Sequence, residues 1–429
     1  MDTIFALSSG APPSGVAVFR ISGAAAFGVS EALCGSEIKP RVASLRKLNA
    51  AGGELIDTAI VIGFKAPSSF TGEDVVELHV HGSRAVVAQL TSELTGRIGC
   101  RPAKRGEFAE RAFINGKMDL TEAEGLADLI DAETREQKRL AQEQSEGSVR
   151  RQLERWKEEL LEMRAFLEAG IDFADEEDIG DAVDADVSVR VQHLLEEMKD
   201  ALAGSSSRSI IRDGALVVLV GAPNSGKSSL LNALVGEDRA IVSNVAGTTR
   251  DYVEVRLDLG GYLVRLVDTA GLRSTNDEIE RAGISKTEEL IQRADIVVEL
   301  SPDGVFSVGD LEDAAVVRVH SKSDLRGQGS FGDLSVSVRD SGSLNHLDAI
   351  LTDQIKFLAG GGAQVSLNER QASLLVRCTR ILDGYNPEEL VEARADLLQR
   401  AMRVIGEVVG DTHIDDVLGA VFSRFCIGK

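Results

Sequence analysis

The stretch ALVVLVGAPNSGKSSLLNALV, residues 215–235, decides the fold of the central part of the chain. Its first six residues are an apolar run of strand length, a Gly-x-x-x-x-Gly-Lys-Ser loop follows, and the remainder has helical periodicity. Strand, loop and helix in this order are the context of a phosphate-binding loop, because backbone N–H groups and a helix N-terminus then surround the phosphates. We expect Lys227 to reach the β- and γ-phosphates and the Ser228 hydroxyl to ligate Mg²⁺. The alternative, a glycine turn that only opens a buried helix, is disfavoured by the order of the elements.

Three stretches further along the chain narrow the predicted ligand to GTP. Thr249 in GTTRD is our candidate for a switch threonine that closes on Mg²⁺ and the γ-phosphate, and Asp268 ends an apolar strand at DTAG. In SKSD, the Asp324 carboxylate can accept from the N1–H and exocyclic amine of guanine, a donor pair that adenine lacks, and SVR at 337–339 is placed to back the base. The predicted nucleotide-site residues are Asn224, Ser225, Gly226, Lys227, Ser228, Ser229, Ser243, Asn244, Val245, Ala246, Gly247, Thr248, Thr249, Asp268, Thr269, Ala270, Gly271, Ser321, Lys322, Ser323, Asp324, Ser337, Val338 and Arg339.

These motifs resemble the translation-factor class of P-loop GTPases, with two departures. Ser321 stands where that class has Asn, and its shorter side chain forfeits a hydrogen bond on the order of 1 kcal/mol. Leu272 stands where Ras-like proteins have a Gln that orients the attacking water, and a leucine cannot do so. Another group must therefore orient the water, or hydrolysis is very slow.

Composition limits the class of protein. The 429 residues carry a net charge of −22, which argues against a dedicated nucleic-acid binder because phosphate neutralisation requires a basic face. Much of the acidic excess lies in 168–186, which we interpret as a solvated loop. No apolar run reaches the ~20 residues of a membrane span, no signal peptide is indicated, and the scattered cysteines form no C-x-x-C pair. These features predict a protein of the reducing cytoplasm without a membrane anchor.

The order of patterns along the chain predicts a multidomain α/β protein. Strand patterns separated by glycine and proline clusters fill residues 1–117 and predict an α+β domain. Helical periodicity fills 118–208, a Ras-like P-loop GTPase domain follows at 209–362, and helical periodicity resumes over 363–429. Because helices flank the GTPase domain on both sides, we interpret it as an insertion into an all-α domain.

Several local features have a structural and a functional interpretation. His79 and His81 alternate along a strand, but a metal site there would need a third ligand that the sequence does not place nearby. Residues 101–117 carry five basic residues against two acidic ones, either a functional basic patch or an exposed loop and helix start. Residues 204–207, Gly-Ser-Ser-Ser, predict a flexible junction before the GTPase strand. One helical seam of core residues is predicted at Val149, Leu153, Trp156, Leu160, Met163 and Leu167.

Motifs over nearly the whole chain resemble one family, the bacterial tRNA-modification GTPases MnmE (TrmE). The matching stretches are DTI at 2–4, RISG at 20–23, TGED at 71–74, HG at 81–82, GEF at 106–108, RAFINGKMDL at 111–120, the GTPase motifs and FCIGK at 425–429. Ser83 departs from the second glycine that the family tends to have after His-Gly.

The resemblance implies a role in tRNA modification. Members work with an FAD-containing partner, MnmG (GidA), to install an aminomethyl or carboxymethylaminomethyl group on C5 of the wobble uridine of certain tRNAs, with a tetrahydrofolate derivative as one-carbon donor. The first domain dimerises and binds the folate, so the resemblance implies a homodimer within a heterotetramer or larger complex. The matching folate positions are Arg20, Glu77, Lys117 and Lys429. The glutamate tail of a folate suits Arg and Lys, and its pterin ring offers donors to Glu77.

The resemblance also resolves the problem posed by Leu272. Family GTPase domains dimerise around K⁺, which takes the place of an arginine finger and offsets the charge that develops near the β- and γ-phosphates. Glu280 matches the residue that orients the attacking water through a second water, and the residues alone would favour Arg250 and Arg273 as fingers. The matching K⁺ positions are the Asn224 side chain, the Ser243 and Val245 carbonyls, and Thr248.

The role of Cys426 and the function of the whole chain each have alternatives. The thiol is either a nucleophile or a motif residue that lines the folate pocket without covalent chemistry, and it matches a prenylation box poorly. A ribosome-assembly GTPase, acting as a nucleotide-switched binding module, predicts a basic RNA-binding domain after the GTPase unit. A folate-binding scaffold with a decayed GTPase predicts no preference for GTP over ATP and XTP.

Overall fold

A computed structural model describes residues 2–172, 177–236, 241, 253–269, 287–312, 314–326, 332–360, 366–410 and 415–428. The chain divides into two compact units, an N-terminal unit of Met1–Ala127 with Gly406–Lys429, and a central unit of Asp128–Ile405. The four-part division predicted from the sequence stays a prediction.

The described strands and helices are numbered in chain order. The strands are β1 Thr3–Leu7, β2 Ser14–Ser22, β3 Ser44–Asn49, β4 Leu55–Phe64, β5 Val75–Gly82, β6 Cys100–Pro102, β7 Ala215–Val220, β8 Val253–Leu259, β9 Tyr262–Asp268, β10 Ile296–Ser301, β11 Ala315–Ser321 and β12 Leu334–Val336. The helices are α1 Ala26–Cys34, α2 Arg84–Thr95, α3 Glu107–Ile114, α4 Leu120–Asp131, α5 Arg135–Ser145, α6 Ser148–Asp172, α7 Glu177–Asp213, α8 Lys227–Leu234, α9 Ser323–Arg326, α10 Ser341–Ala359, α11 Glu369–Asp383, α12 Val391–Val409 and α13 Asp415–Ser423. Among these helices, none combines the length and the apolarity that crossing a bilayer requires.

A six-stranded sheet in the order β3-β4-β5-β2-β1-β6 forms the N-terminal unit. The strands pair antiparallel except for β1 and β6, which are parallel. Along β2 and β5, buried apolar residues such as Phe19, Ile21 and Leu78 alternate with half-buried polar ones, so one face packs into the core. The other face carries Arg20 directly opposite Glu77. The α+β architecture predicted for this part of the chain is confirmed.

The last described residues complete the N-terminal unit. Helix α13 packs on α3, and the tail beyond it forms an isolated antiparallel bridge between Ile427 and Arg105. The Ser8 hydroxyl donates to the carbonyl oxygen of Gly428 at 2.8 Å. The segment that carries the exposed Cys426 is therefore held against two distant parts of this unit.

Two arginines of the predicted basic patch are ion-paired instead of forming a free cationic surface. Arg111 is only 4% exposed and contacts Asp2, Glu73 and Glu107 at 2.8, 3.0 and 3.1 Å, and Arg101 contacts Asp2 and Glu107. The hydrogen bond from Arg101 lowers the pKa of Asp2. Burial alone would raise the pKa of Glu107, but the hydrogen bonds from both arginines hold it below its usual value. The carboxylates therefore neutralise these two arginines, while Lys104, Arg105 and Lys117 are exposed.

The helical part of the central unit confirms the predicted seam and corrects two local predictions. All six seam residues of α6 are at most 1% exposed. Helix α7 continues through 204–207, so the predicted flexible junction is wrong. The Ser205 hydroxyl donates to the Leu202 carbonyl oxygen at 2.7 Å, which satisfies a polar side chain without ending the helix. The acidic stretch 168–186 is helical in its described parts, since they belong to α6 and α7.

A second six-stranded sheet, in the order β12-β11-β10-β7-β9-β8, lies in the same unit. Only β8 is antiparallel to its neighbour, so the carboxyl ends of the other strands meet at one edge. The loop at 221–226, the pair Asp268–Thr269 and the segment 321–326 follow these strands at that edge. This is the Ras-like fold predicted for the GTPase domain, and α5–α7 precede it while α11 and α12 follow it, as predicted for an insertion.

Candidate functional site

The loop between β7 and α8 has the backbone geometry of a phosphate cradle. Gly221 has a φ of +142°, and a Cβ added there would lie 2.3 Å from the Leu300 carbonyl oxygen, so no side chain fits. Gly226 has a φ of +105° and caps α8, and Asn224 adopts the left-handed conformation that Asn tolerates better than most residues. The first N–H groups of α8 have no intrahelical acceptors. Together with the helix dipole, they can therefore bind an anion here.

Lys227 places a positive charge at this loop. Its side chain is largely buried, the residue being 5% exposed, and its Nζ donates to the carbonyl oxygens of Gly221 and Ala222 at 2.9 and 3.1 Å. A buried ammonium needs such partners because burial without them is costly. The loop therefore positions the lysine beside the backbone that is predicted to bind phosphates.

Ser228 and Asp268 lie next to each other although 40 residues separate them. The Ser228 hydroxyl donates to Asp268 Oδ2 at 2.6 Å. Asp268 ends β9, and the Thr269 hydroxyl that follows donates to the Leu219 carbonyl oxygen of β7 at 2.9 Å, which joins the two strand ends. A hydroxyl and a carboxylate are hard oxygen ligands of the kind that Mg²⁺ prefers, so this pair fits the predicted Mg²⁺ site.

A solvent-open pocket lies beside the phosphate loop. Asp324 at its mouth has Arg339 Nη1 3.6 Å from Oδ2. Ser323 begins α9, and the buried Ser337 accepts on its backbone oxygen from the Ser343 hydroxyl. The pocket is lined by Gly226, Ser229, Leu230, Leu300, Val319, Ser321, Lys322, Asp324, Leu325, Val336, Val338 and Arg339. Apolar walls with a carboxylate at one edge suit a flat purine that presents two N–H donors.

The segment with the predicted base contacts is tied directly to the phosphate loop. Ser321 Oγ donates to the Ser225 carbonyl oxygen at 2.7 Å, and Lys322 Nζ donates to the Asn224 carbonyl oxygen at 2.6 Å. Lys322 has a φ of 57°, which turns the chain between β11 and α9. Two hydrogen bonds therefore connect the predicted base pocket to the phosphate loop.

In the N-terminal unit, the structure brings together two of the predicted folate residues. Arg20 Nε and Nη2 both donate to Glu77 Oε1, at 3.0 and 2.9 Å, and the guanidinium lies 5.2 Å from the Phe70 ring centroid. Lys117 is exposed and lies beyond the end of α3, which ends at Ile114. Among the described residues, no hydrogen bond or ion pair joins Lys117 or Cys426 to the Arg20–Glu77 pair.

The two histidines of β5 each face a carboxylate. His79 Nε2 lies 3.4 Å from Glu77 Oε2, and His81 Nδ1 lies 2.8 Å from Asp57 Oδ1. The backbone N–H of His81 also donates to Asp57 Oδ2 at 2.7 Å. Each imidazole thus has a local partner on its own sheet.

Several predicted site residues lie outside the described residues. They are Ser243, Asn244, Val245, Ala246, Gly247, Thr248, Thr249, Ala270, Gly271, Glu280 and Lys429, together with Arg250, Leu272 and Arg273.

Glu299 supports the site and was missed by the sequence analysis. It is 2% exposed in β10, and its carboxylate accepts from the Ser307 N–H and hydroxyl and from the Val308 N–H. These bonds hold the loop that follows β10, next to Leu300 of the base pocket. The available signal was a single acid within the otherwise apolar strand IVVELS.

Comparison with known proteins covers the whole chain. The family profile described as the MnmE helical domain matches residues 120–426, and the one described as the GTP-binding protein TrmE N-terminus matches residues 3–117. The protein named tRNA modification GTPase MnmE is 45% identical in Agrobacterium fabrum, over 100% of this chain and 99% of that protein. The protein of the same name in Methylorubrum populi is 46% identical over 100% of this chain and 98% of that protein. The one in Rhizobium meliloti is 43% identical over 100% of this chain and 99% of that protein. With both profiles and full-length relatives matched, the chain belongs to the MnmE family of tRNA modification GTPases.

Proposed function

We propose that this chain hydrolyses GTP and takes part in modifying the wobble uridine of tRNA in the cytoplasm. The observation that carries the first half is the 2.6 Å contact between Ser228 Oγ and Asp268 Oδ2, beside Lys227 and the pocket at Asp324. Together these residues supply a metal-binding oxygen pair, a cation for phosphates and an acceptor for guanine. Family membership supports the second half, since the relatives are named for tRNA modification.

In the proposed hydrolysis, the chain's own residues position the triphosphate. Lys227 pairs with phosphate oxygens, while Ser228, with Thr249, holds Mg²⁺ near Asp268. Bound Mg²⁺ and K⁺ supply positive charge that offsets the charge developing in the transition state. Glu280 orients the attacking water because Leu272 cannot. The proposed K⁺ positions are Asn224, Ser243, Val245 and Thr248.

In the proposed modification, the N-terminal unit binds a tetrahydrofolate derivative that supplies the one-carbon unit. Glu77 accepts from the pterin donors, and Arg20, Lys117 and Lys429 pair with carboxylates of the folate tail. Because Arg20 and Glu77 pair with each other, the ligand has to share or replace that ion pair. Cys426 is proposed as a residue of the same site, the chain acts as a homodimer, and the flavoprotein MnmG supplies FAD.

GTP turnover in K⁺ and in Na⁺ tests the hydrolysis. We expect turnover to rise sharply in K⁺ and to fall by orders of magnitude in Glu280→Ala, because the water then lacks its orienting group. Glu278→Ala, which removes a neighbouring acid of the same segment, is the matched control and should retain turnover. Equal rates in the two salts would remove the cation mechanism, and equal use of GTP, ATP and XTP would favour a decayed GTPase.

Mass spectrometry of wobble uridine tests the modification. In tRNA from cells that lack this gene, the C5 substituent should be absent, and the intact gene should restore it. Unchanged uridine chemistry in the deletion strain would contradict the proposal. Restoration by a Cys426→Ser gene would exclude a nucleophilic thiol while leaving the rest of the proposal in place.

A further inference from the structure

Ser321 is a polar lining residue of the pocket that also contacts the phosphate loop, which makes it a candidate partner for the imidazole edge of a guanine whose N1–H edge lies at Asp324. It ends β11, is 5% exposed and lines the base pocket between the phosphate loop and Asp324. Its Oγ donates to the Ser225 carbonyl oxygen at 2.7 Å. A serine hydroxyl has one proton, so this bond uses the whole donor capacity of the side chain.

The chemistry of guanine decides what Ser321 can contribute. N7 and O6 of guanine are acceptors only, so a side chain recognises them only by donating a proton. If the Ser321 hydroxyl turned to N7, the Ser225 carbonyl would lose its donor, and one neutral hydrogen bond would replace another without net gain. An asparagine side chain has two amide protons and could serve the loop and the base together.

The other donors of the pocket have different partners or positions. Lys322 Nζ donates one of its three protons to the Asn224 carbonyl oxygen at 2.6 Å, and Arg339 Nη1 lies 3.6 Å from Asp324 Oδ2. Ser229, on the first turn of α8, is the remaining side-chain hydroxyl among the described lining residues. It is therefore included in the test.

We propose that this site selects guanine through hydrogen bonds from the N1–H and 2-amino groups to Asp324 and makes no hydrogen bond to N7. The Ser321 hydroxyl cannot donate to N7 because its one proton is donated to Ser225. This inference rests on the proposed function, since it assumes that the pocket binds the base of GTP. It makes Ser321 a specificity-determining residue: its contact with Ser225 braces the phosphate loop, and the N7 contact is lost.

Three nucleotides distinguish the contributions of the two edges of the base to binding. 7-Deaza-GTP replaces N7 by C–H, and ITP lacks the 2-amino group, while GTP has both. Dissociation constants are measured for the full-length protein by competition with a fluorescent guanine nucleotide in K⁺ and Mg²⁺. The wild type should bind 7-deaza-GTP within about 2-fold of GTP, and it should bind ITP at least about 10-fold more weakly, as expected for a lost bond to a charged acceptor.

Two variants identify the residue responsible. Ser321→Asn should bind GTP about 5-fold more tightly than 7-deaza-GTP, the effect of one neutral hydrogen bond. Ser321→Ala should weaken both nucleotides while keeping their ratio near the wild-type value, and it stays informative if the Asn variant does not fold. A 10-fold preference of the wild type for GTP over 7-deaza-GTP would overturn the inference, and loss of that preference in Ser229→Ala would assign N7 to Ser229.

Failure of the inference is distinguishable from failure of the proposed function. If the protein discriminated against both ITP and 7-deaza-GTP, the guanine site would stand. Only the inference that N7 makes no contact would be refuted. Absence of binding by every guanine nucleotide would remove the proposed function and this inference with it.

Discussion

Replacing Gly106 by alanine tests how tightly the C-terminal segment 415–428, α13 with the tail beyond it, is packed on the N-terminal unit. Gly106 has a φ of +68°, and an added Cβ would lie 2.2 Å from the Phe422 carbonyl oxygen, a backbone atom that no side-chain rotation can move. Gly116 is a matched control, because its φ is +66° and an added Cβ meets nothing within 4 Å. The two variants therefore share the backbone strain and differ in the contact with the tail.

The magnitude follows from these two contributions. The left-handed backbone costs about 1–2 kcal/mol in each variant. Gly106→Ala adds the cost of moving the tail, about 1–3 kcal/mol by analogy with overpacked cores. Complete release of the tail costs more, because Phe422 and Phe425 are buried and each contributes about 1.5–3 kcal/mol. We therefore expect Gly106→Ala to lose about 2–5 kcal/mol and Gly116→Ala about 1–2 kcal/mol.

Thiol labelling gives a local measurement beside chemical denaturation. Burial raises the pKa of Cys34 and Cys100 to about 11 and that of Cys378 to about 12, so these thiols react slowly at neutral pH. The exposed Cys426 should react first, and its labelling rate should change in the Gly106 variant but not in the control. Equal destabilisation of both variants with unchanged labelling would refute the packing argument.

Three further predictions concern single side chains. The Ser225 hydroxyl is buried without a partner among the described residues, so Ser225→Ala should raise the free energy of unfolding by about 1 kcal/mol in thermal denaturation, and a loss of stability would contradict this reasoning. Asp2 and Glu107 have lowered pKa values in the folded state, so their stabilisation is complete above the ordinary values of 3.8 and 4.5 and is lost as the pH falls through the folded pKa values. Glu107→Gln should lower stability at neutral pH and flatten its acid dependence, as measured by circular dichroism; an unchanged acid dependence would exclude this role. Asp324→Asn should lose GTP affinity about 100-fold and gain XTP affinity in the competition assay, since the amide can donate to the xanthine 2-oxo group; retained GTP preference would remove Asp324 from base selection.

Local patterns predicted which strand ends carry the candidate nucleotide-site residues, because these residues directly follow strands that the sequence marks clearly. The stretch 215–235 specifies strand, loop and helix within a single window, and Ser228 and Asp268 meet because β7 and β9 are neighbours in a parallel sheet. Contacts between strands that are distant in the sequence were harder to predict. The Arg20–Glu77 ion pair depends on the register of β2 against β5, which a single sequence does not reveal.

The wrong predictions arose where composition was used in place of packing. Serine and glycine at 204–207 are common in flexible segments, yet helix contacts and an internal hydrogen bond of Ser205 keep α7 continuous. For the basic residues of 101–117 the sequence left two interpretations open, because it does not show that Asp2 and Glu73 come to Arg111. Net charge over a window gives no account of partners that lie far away in the chain.

The hydrogen bond between Ser8 and Gly428 has a consequence for the synthesis of the protein on the ribosome. Ser8 leaves the ribosome early, but its partner Gly428 is 420 residues away. At 5–20 residues per second, the two are synthesised on the order of 20–80 s apart. During that interval the nascent N-terminal unit exposes the surface that Phe422 and Phe425 later cover, so a chaperone or another copy of the chain can bind that surface first.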